Sequence, residues 1–167
     1  MAVTAWSIRS MRPQDRTAVL EIAGSLRKWF TPQGLDEIRA DLESHAGYLA
    51  EREHRPLGFV TWTDIDGDTA NLSWMGVIED WQHRGIGTSL LAVLVAELRR
   101  RGYRFLQVST VAESVVYEPY AETRRFYRAR GFRDYRVDEK YFGEGDNRYD
   151  RLLMRLDLSS PGRDRSG

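Results

Sequence analysis

The sequence predicts an α/β fold built on a central, mostly antiparallel sheet of six to seven strands with helices on both faces. Stretches of period-two alternation and stretches of 3.6-residue apolar periodicity interleave from one end of the chain to the other. One long apolar helix pattern separates two strand patterns, which requires a crossover and so a parallel central pair. The 167 residues, 41% of them hydrophobic, suffice for one sheet covered on both sides.

Each element follows from its residues. Trp6, Ile8 and Ser10 alternate with their neighbours to about Met11 and read as a first strand with one buried face. Pro13 and Asp15 open a helix carrying Ala18, Val19, Ile22, Ala23 and Leu26 and ending near Arg27. Trp29-Phe30-Thr31-Pro32 is an aromatic connection, and Leu35, Ile38 and Leu42 mark a second short amphipathic helix. Tyr48 to Glu51 and Leu57 to Thr63 are strands joined by Glu53-His54-Arg55-Pro56, and Asp66-Gly67-Asp68 is a hairpin turn into the next strand. That strand carries Leu72, Trp74, Met75 and Val77. A long helix follows, with Ile86, Leu90, Leu94 and Leu98 on one face, Arg99 to Arg101 complementing its C-terminal dipole and Gly102 as a left-handed cap.

Tyr103, Phe105, Gln107, Val108 and Ser109 read as the parallel strand, and Thr110 to Pro119 as a loop. Tyr120 to Phe132 is a short helix ended by Gly131. Tyr135, Val137, Tyr141 and Phe142 belong to a sixth strand, Gly143 to Asn147 to a turn, and Leu152, Leu153, Met154, Leu156 and Leu158 to a last strand. Residues 1–158 are expected to form a single domain, and the polar tail Ser159 to Gly167 to be disordered.

Composition excludes several classes of function. Zero cysteines rule out a disulfide framework, thiolate metal sites and a cysteine nucleophile. A formal net charge of zero argues against nonspecific nucleic-acid binding while leaving room for a local basic patch, and no nucleic-acid partner is expected. Met1 to Met11 lacks a signal-peptide core, and the longest apolar run, Leu90 to Val95, is too short to cross a bilayer. The expectation is a cytoplasmic protein with no membrane partner. His45 and His54 have no partners at metal-binding spacing, so no metal is expected.

The most informative stretch is Gln82-His83-Arg84-Gly85-Ile86-Gly87-Thr88, which opens directly into the long helix. A turn with two glycines at a helix mouth leaves several backbone N–H groups unpaired beside the positive end of the helix dipole. That is an anion seat, and phosphate is the usual occupant. Gly85 and Gly87 let the backbone approach phosphate oxygens where a Cβ would intrude, and Arg84 adds a charge-assisted contact. Leu90 breaks any Gly-x-Gly-x-x-Gly fingerprint, and no Gly-Lys-Ser/Thr follows, so neither common nucleotide motif applies.

Gln82-x-x-Gly85-x-Gly87 between a strand and a helix resembles the acetyl-CoA pyrophosphate loop of the GNAT superfamily of N-acetyltransferases. Downstream, Tyr120-x-x-Thr123-Arg124-x-Phe126-Tyr127-x-x-x-Gly131-Phe132 resembles the family pattern Asn-x-x-Ala-x-x-x-Tyr-x-x-x-Gly-Phe, with Tyr120 and Thr123 in place of the usual Asn and Ala. Gly58-Phe59-Val60 resembles the family's third strand. The resemblance covers nearly the whole chain and is strongest from Leu72 to Phe132. It implies a splayed parallel central pair with the pantetheine arm in the wedge, paired to the backbone of Met75, Gly76 and Val77. It places Gln82, His83, Arg84, Gly85, Ile86, Gly87 and Thr88 around the pyrophosphate, and Tyr120, Thr123 and Tyr127 along the cofactor. The helix-loop-helix around Trp29 and Phe30 would form one wall of the acceptor pocket; the same aromatics would equally serve as a core plug. Dimers are common in the family, and a homodimer is compatible with the sequence.

The implied reaction is direct attack of a primary amine, of a small molecule or a peptide, on the thioester of acetyl-CoA as cosubstrate. A backbone N–H near Met75 would polarise the thioester carbonyl. Tyr127 is the candidate general acid, since a phenol of pKa about 10 stays protonated at neutral pH and can donate to a thiolate of pKa about 8.5; its other reading is a packed aromatic whose hydroxyl reaches water. Asn71 stands where several family members carry a glutamate base and cannot act as one. Glu113 and Glu118 are the candidate bases, with an ordered-water relay as the alternative. A non-catalytic acyl-CoA-binding or regulatory module of the same fold is the competing reading.

Overall fold

In the computed structural model, which describes residues 6–159, eleven strands and helices follow one another in nearly the predicted order. They are β1 Ser7–Ser10, α1 Arg16–Ser25, α2 Pro32–Asp41, β2 Ala46–Arg52, β3 Arg55–Asp64, β4 Thr69–Val77, α3 Ile86–Arg100, β5 Phe105–Val111, α4 Glu118–Ala129, β6 Arg133–Phe142 and β7 Tyr149–Asp157. The expectation for the tail beyond Ser159 falls outside the described residues. Two compact units are present, residues 6–63 with 72–96 and residues 64–71 with 97–159.

In the first unit β1, β2, β3 and β4 are successive neighbours. β1 runs antiparallel to β2 from Ser7 opposite Glu51 to Ser10 opposite Tyr48. β2 and β3 close with Arg52 opposite Arg55 around a two-residue turn, where the sequence pointed to a longer link. Glu53 and His54 both adopt positive φ, 49° and 64°, the twist a tight hairpin needs but without the Asn-Gly chemistry that announces it. A turn of 3-10 helix at Pro13–Asp15 leads into α1. The Asp15 carboxylate accepts from the Arg12 backbone N–H (2.7 Å) and from both terminal nitrogens of Arg9 (2.7 and 2.8 Å). Pro32 starts α2 and the Thr31 hydroxyl accepts from the Gly34 N–H at 3.0 Å, an N-cap.

Helices cover both faces of this part of the sheet. Val19, Ile22, Ala23 and Leu26 of α1 pack with Ile38, Leu42, Leu49 and Phe59 on one side. A Cβ on Gly76 would come within 2.9 Å of Leu26 and 3.1 Å of Phe59, so glycine lets β4 lie close under α1. On the other side a Cβ on Gly58 would meet the Gly76 carbonyl oxygen at 3.0 Å and the Ile86 side chain at 3.3 Å. Glycine at 58 thus allows β3, β4 and the first turn of α3 to approach.

In the second unit the order is the start of β4, then β5, β7 and β6. The Asp68 carbonyl just before β4 accepts from the Arg104 N–H at 2.8 Å. β5 pairs antiparallel with β7 from Phe105 opposite Asp157 to Val111 opposite Arg151, and β7 pairs antiparallel with β6 through two register shifts. The whole is a seven-stranded mixed sheet in which β4 and β5 are the parallel pair, the fold class the sequence predicts. Gly102, at φ 86°, caps α3, and Gly131, at φ 94°, ends α4 so that the Phe132 N–H returns to the Tyr127 carbonyl at 3.1 Å. The predicted loop at Thr110 to Pro119 is shorter than expected. β5 continues to Val111, and α4 begins at Glu118 because Pro119 is suited to a first helical turn.

Candidate active site

The end of β4 and the mouth of α3, both in the first unit, form the candidate cofactor seat. By strand alternation Trp74 and Gly76 face the side covered by α1 and α2, where the Trp74 Nε1–H donates to Oδ2 of Asp41 at the end of α2 at 2.7 Å, and Met75 and Val77 face the other way. Gln82 does not project outward as a ligand arm. Its Nε2 donates to the Val77 carbonyl at 2.9 Å and its backbone N–H to Glu79 at 3.1 Å, so it closes the turn on the strand.

His83 and Gly85 both take positive φ, 59° and 96°. The histidine is the informative one, because a non-glycine residue held in this region is uncommon and such strain gathers at functional sites. The first helical bond of α3 runs from the Ser89 N–H to the Gly85 carbonyl at 3.0 Å. Among the described residues the N–H groups of His83, Arg84, Gly85, Ile86 and Gly87 donate to no protein acceptor. The turn is exposed, whereas Ile86 (1% exposed) and Leu90 anchor the helix beneath it. The result is a fixed cluster of amides at the positive end of a 15-residue helix. Gly87 does not have positive φ, so backbone conformation does not demand glycine there.

Helix α4 carries the remaining predicted residues. Tyr127 is 4% exposed and is flanked edge-on by Phe126 and Phe132, with centroids at 5.3 and 5.1 Å. Burial pushes its phenol well above the ordinary range and keeps it protonated. Tyr120 is shifted the same way, first by burial and then by Tyr149 and Tyr117, the latter stacked edge-on at 4.8 Å. Thr123 donates its hydroxyl proton to the Pro119 carbonyl at 3.1 Å within the helix. Both candidate bases are ion-paired. Glu113 accepts from Arg128 and lies 3.8 Å from Arg124, and Glu118 accepts from Arg125.

A family model described as an acetyltransferase (GNAT) domain matches residues 43–134, more than half of the chain. The chain belongs to the GNAT family. A curated relative, the [Ribosomal protein bS18]-alanine N-acetyltransferase of Escherichia coli, is 30% identical over 97 residues, 58% of this chain and 62% of the relative, so the match spans less than two thirds of that protein. A GNAT-family structure from Desulfovibrio desulfuricans superposes with TM-score 0.82 at 26% identity, covering 93% of this chain and all of the other. A GNAT-family acetyltransferase from Elizabethkingia anophelis with acetyl-CoA bound has TM-score 0.69 at 20% identity, covering 93% and 99%, a likeness of fold.

Sequence reasoning missed two residues of this GNAT chain. Arg124, 5% exposed, donates to the Val111 carbonyl and fixes α4 to the end of β5; a single arginine in an arginine-rich helix carries no signal of burial. Trp81 lies under the guanidinium groups of Arg84 and Arg52, at 4.7 and 5.4 Å, a contact that joins the turn to a hairpin 30 residues earlier in the chain. Among the described residues no three His, Asp or Glu side chains are grouped to hold a metal, and no helix is long and apolar enough to cross a membrane.

Proposed function

We propose that this chain is an acetyl-CoA-dependent N-acetyltransferase whose acceptor is a primary amine, with a peptide α-amine preferred. The carrying observation is the cluster of unpartnered amides from His83 to Gly87 at the mouth of α3. These donors suit the pyrophosphate of CoA, with the Arg84 side chain beside them, and the backbone of Met75 to Val77 suits the pantetheine amides. The bound thioester supplies an activated acetyl group. The bound acetyl-CoA in a protein of the same fold supports this reading.

Tyr127 is the proposed proton donor to the departing thiolate. Burial keeps the phenol protonated at neutral pH; it gives its hydroxyl proton to the sulfur as the C–S bond breaks and takes one back, through water, from the nitrogen of the attacking amine, so that no phenolate persists. The preference for an α-amine rests on the ion pairs. An alkylamine of pKa about 10.4 needs about 4 to 5 kcal/mol to become neutral at pH 7, whereas a peptide α-amine of pKa about 7.7 to 8.0 needs only about 1 kcal/mol. With Glu113 and Glu118 already engaged by arginines, an acceptor that deprotonates with little help fits best, and water can carry off its proton. The Escherichia coli relative, named for an alanine of a ribosomal protein, agrees with that class.

The test is thiol release from acetyl-CoA with a panel of N-terminal peptides, lysine-like amines and small polyamines, beside calorimetry with acetyl-CoA. Turnover on peptide α-amines, rising with pH up to about 8 along the titration of the amine, is expected. Faster turnover on alkylamines at pH 7 refutes the acceptor class. Cofactor binding with no turnover on any amine makes the chain a binding module instead.

A further inference from the structure

Beside the turn lies a cleft of about 250 Å3 lined by Arg52, Glu53, Arg55, Leu57 and Trp81. Its charge is unusual for a hairpin. Arg52 and Arg55 are directly opposed at the closing pair of β2 and β3, where like charges repel. Among the described residues neither they nor Arg84 has a carboxylate partner, although the chain pairs most of its other structured arginines. The only acid in the lining, Glu53, sits exposed at the turn itself. Trp81 is the link. Arg84 lies over its indole from the phosphate turn and Arg52 from the hairpin, so two cations share one ring, and Arg55 lines the same cleft.

We propose that Arg52 and Arg55, with Arg84 and Trp81, form a seat for a phosphomonoester, and that the group it takes is the 3′-phosphate at the nucleotide end of the CoA thioester. The inference rests on the turn being the pyrophosphate seat. A phosphomonoester carries close to two negative charges at neutral pH and three acceptor oxygens, and guanidinium forks are suited to bind it bidentately. Contact with the indole restrains two of the guanidinium groups before the ligand arrives, which lowers the ordering cost of binding. An anion held here would also relieve the opposition of Arg52 and Arg55.

Calorimetry with CoA and with 3′-dephospho-CoA, at low salt, tests the seat directly. The unaltered protein is expected to bind CoA at least tenfold more tightly than dephospho-CoA. In R52Q/R55Q this ratio should fall below threefold while dephospho-CoA affinity stays within twofold of the unaltered protein, the latter also reporting that the variant is folded. Raising the salt should narrow the ratio in the unaltered protein and leave it unchanged in the variant. Equal binding of the two ligands by the unaltered protein overturns the seat and leaves the pyrophosphate reading intact, as does an undiminished ratio in R52Q/R55Q. Binding of neither ligand overturns the pyrophosphate reading and the seat together. A loss of dephospho-CoA affinity in R52Q/R55Q as large as the loss of CoA affinity assigns the two arginines to general support of the turn and refutes the seat.

Discussion

Gly85 and Gly87 sit two residues apart and do different things. Gly85, at φ 96°, has nothing closer than the Trp6 ring at 3.9 Å to meet a Cβ, so conformation and not space demands glycine. Gly85→Ala is expected to lower stability by about 1 to 2 kcal/mol, read by denaturant melts. Gly87 has no such constraint, and Gly87→Val should melt near the unaltered protein yet bind acetyl-CoA at least tenfold more weakly. Unchanged affinity in that folded variant would remove the phosphate seat. Tyr127→Phe should lower turnover about tenfold or more with cofactor affinity retained; an unchanged single-turnover rate would take the phenol out of the reaction. At this scale a glycine-dependent turn at Gly85 was legible because its chemistry is local. The left-handed His83, the inward Gln82 and the ion pairs of Glu113 and Glu118 were not, because each depends on a neighbour that only the fold brings near.

The entry to α1 shows what one carboxylate does for an element. Asp15 is 7% exposed, and the bonds from Arg9, aided by the Arg12 N–H and opposed by burial, hold its pKa at about 2 against an ordinary 3.8. A folded-state pKa below the unfolded one means that Asp15 stabilises the protein above about pH 4 and loses that contribution as pH falls toward about 2. Asp15→Asn should cost about 2 kcal/mol at pH 7 and flatten the acid limb of a stability-versus-pH curve. A variant with the same acid limb would show that the pairing does not stabilise the native state. Helix starts such as this were legible from Pro13 and Asp15 because caps are written in adjacent residues. The start of α4 was misplaced by two residues: Pro119, which reads as a terminator in isolation, serves here as an opener. The β2–β3 turn was drawn too long because Glu53-His54 carries none of the residues that favour positive φ.

For the molecule as a whole, the boundaries between the two units fall inside β3, β4 and α3, so neither unit owns a complete set of elements. We therefore expect residues through 158 to unfold as one domain, with calorimetric and van't Hoff enthalpies in agreement; two resolved transitions would refute this. The strand and helix order was legible because periodicity is a property of each segment alone. The fold class followed from the single crossover at α3, and the pairing of β7 between β5 and β6 did not, since no residue in β6 announces that it is the outer strand.

The clasp of Gln82 on the Val77 carbonyl has a kinetic meaning. A receptor whose gripping segment is already shaped by folding captures its ligand in one encounter, with no closing step to wait for. Stopped-flow mixing with CoA should accordingly give rates that climb linearly with ligand concentration, and loosening the clasp with Gln82→Ala should bend that line toward a plateau.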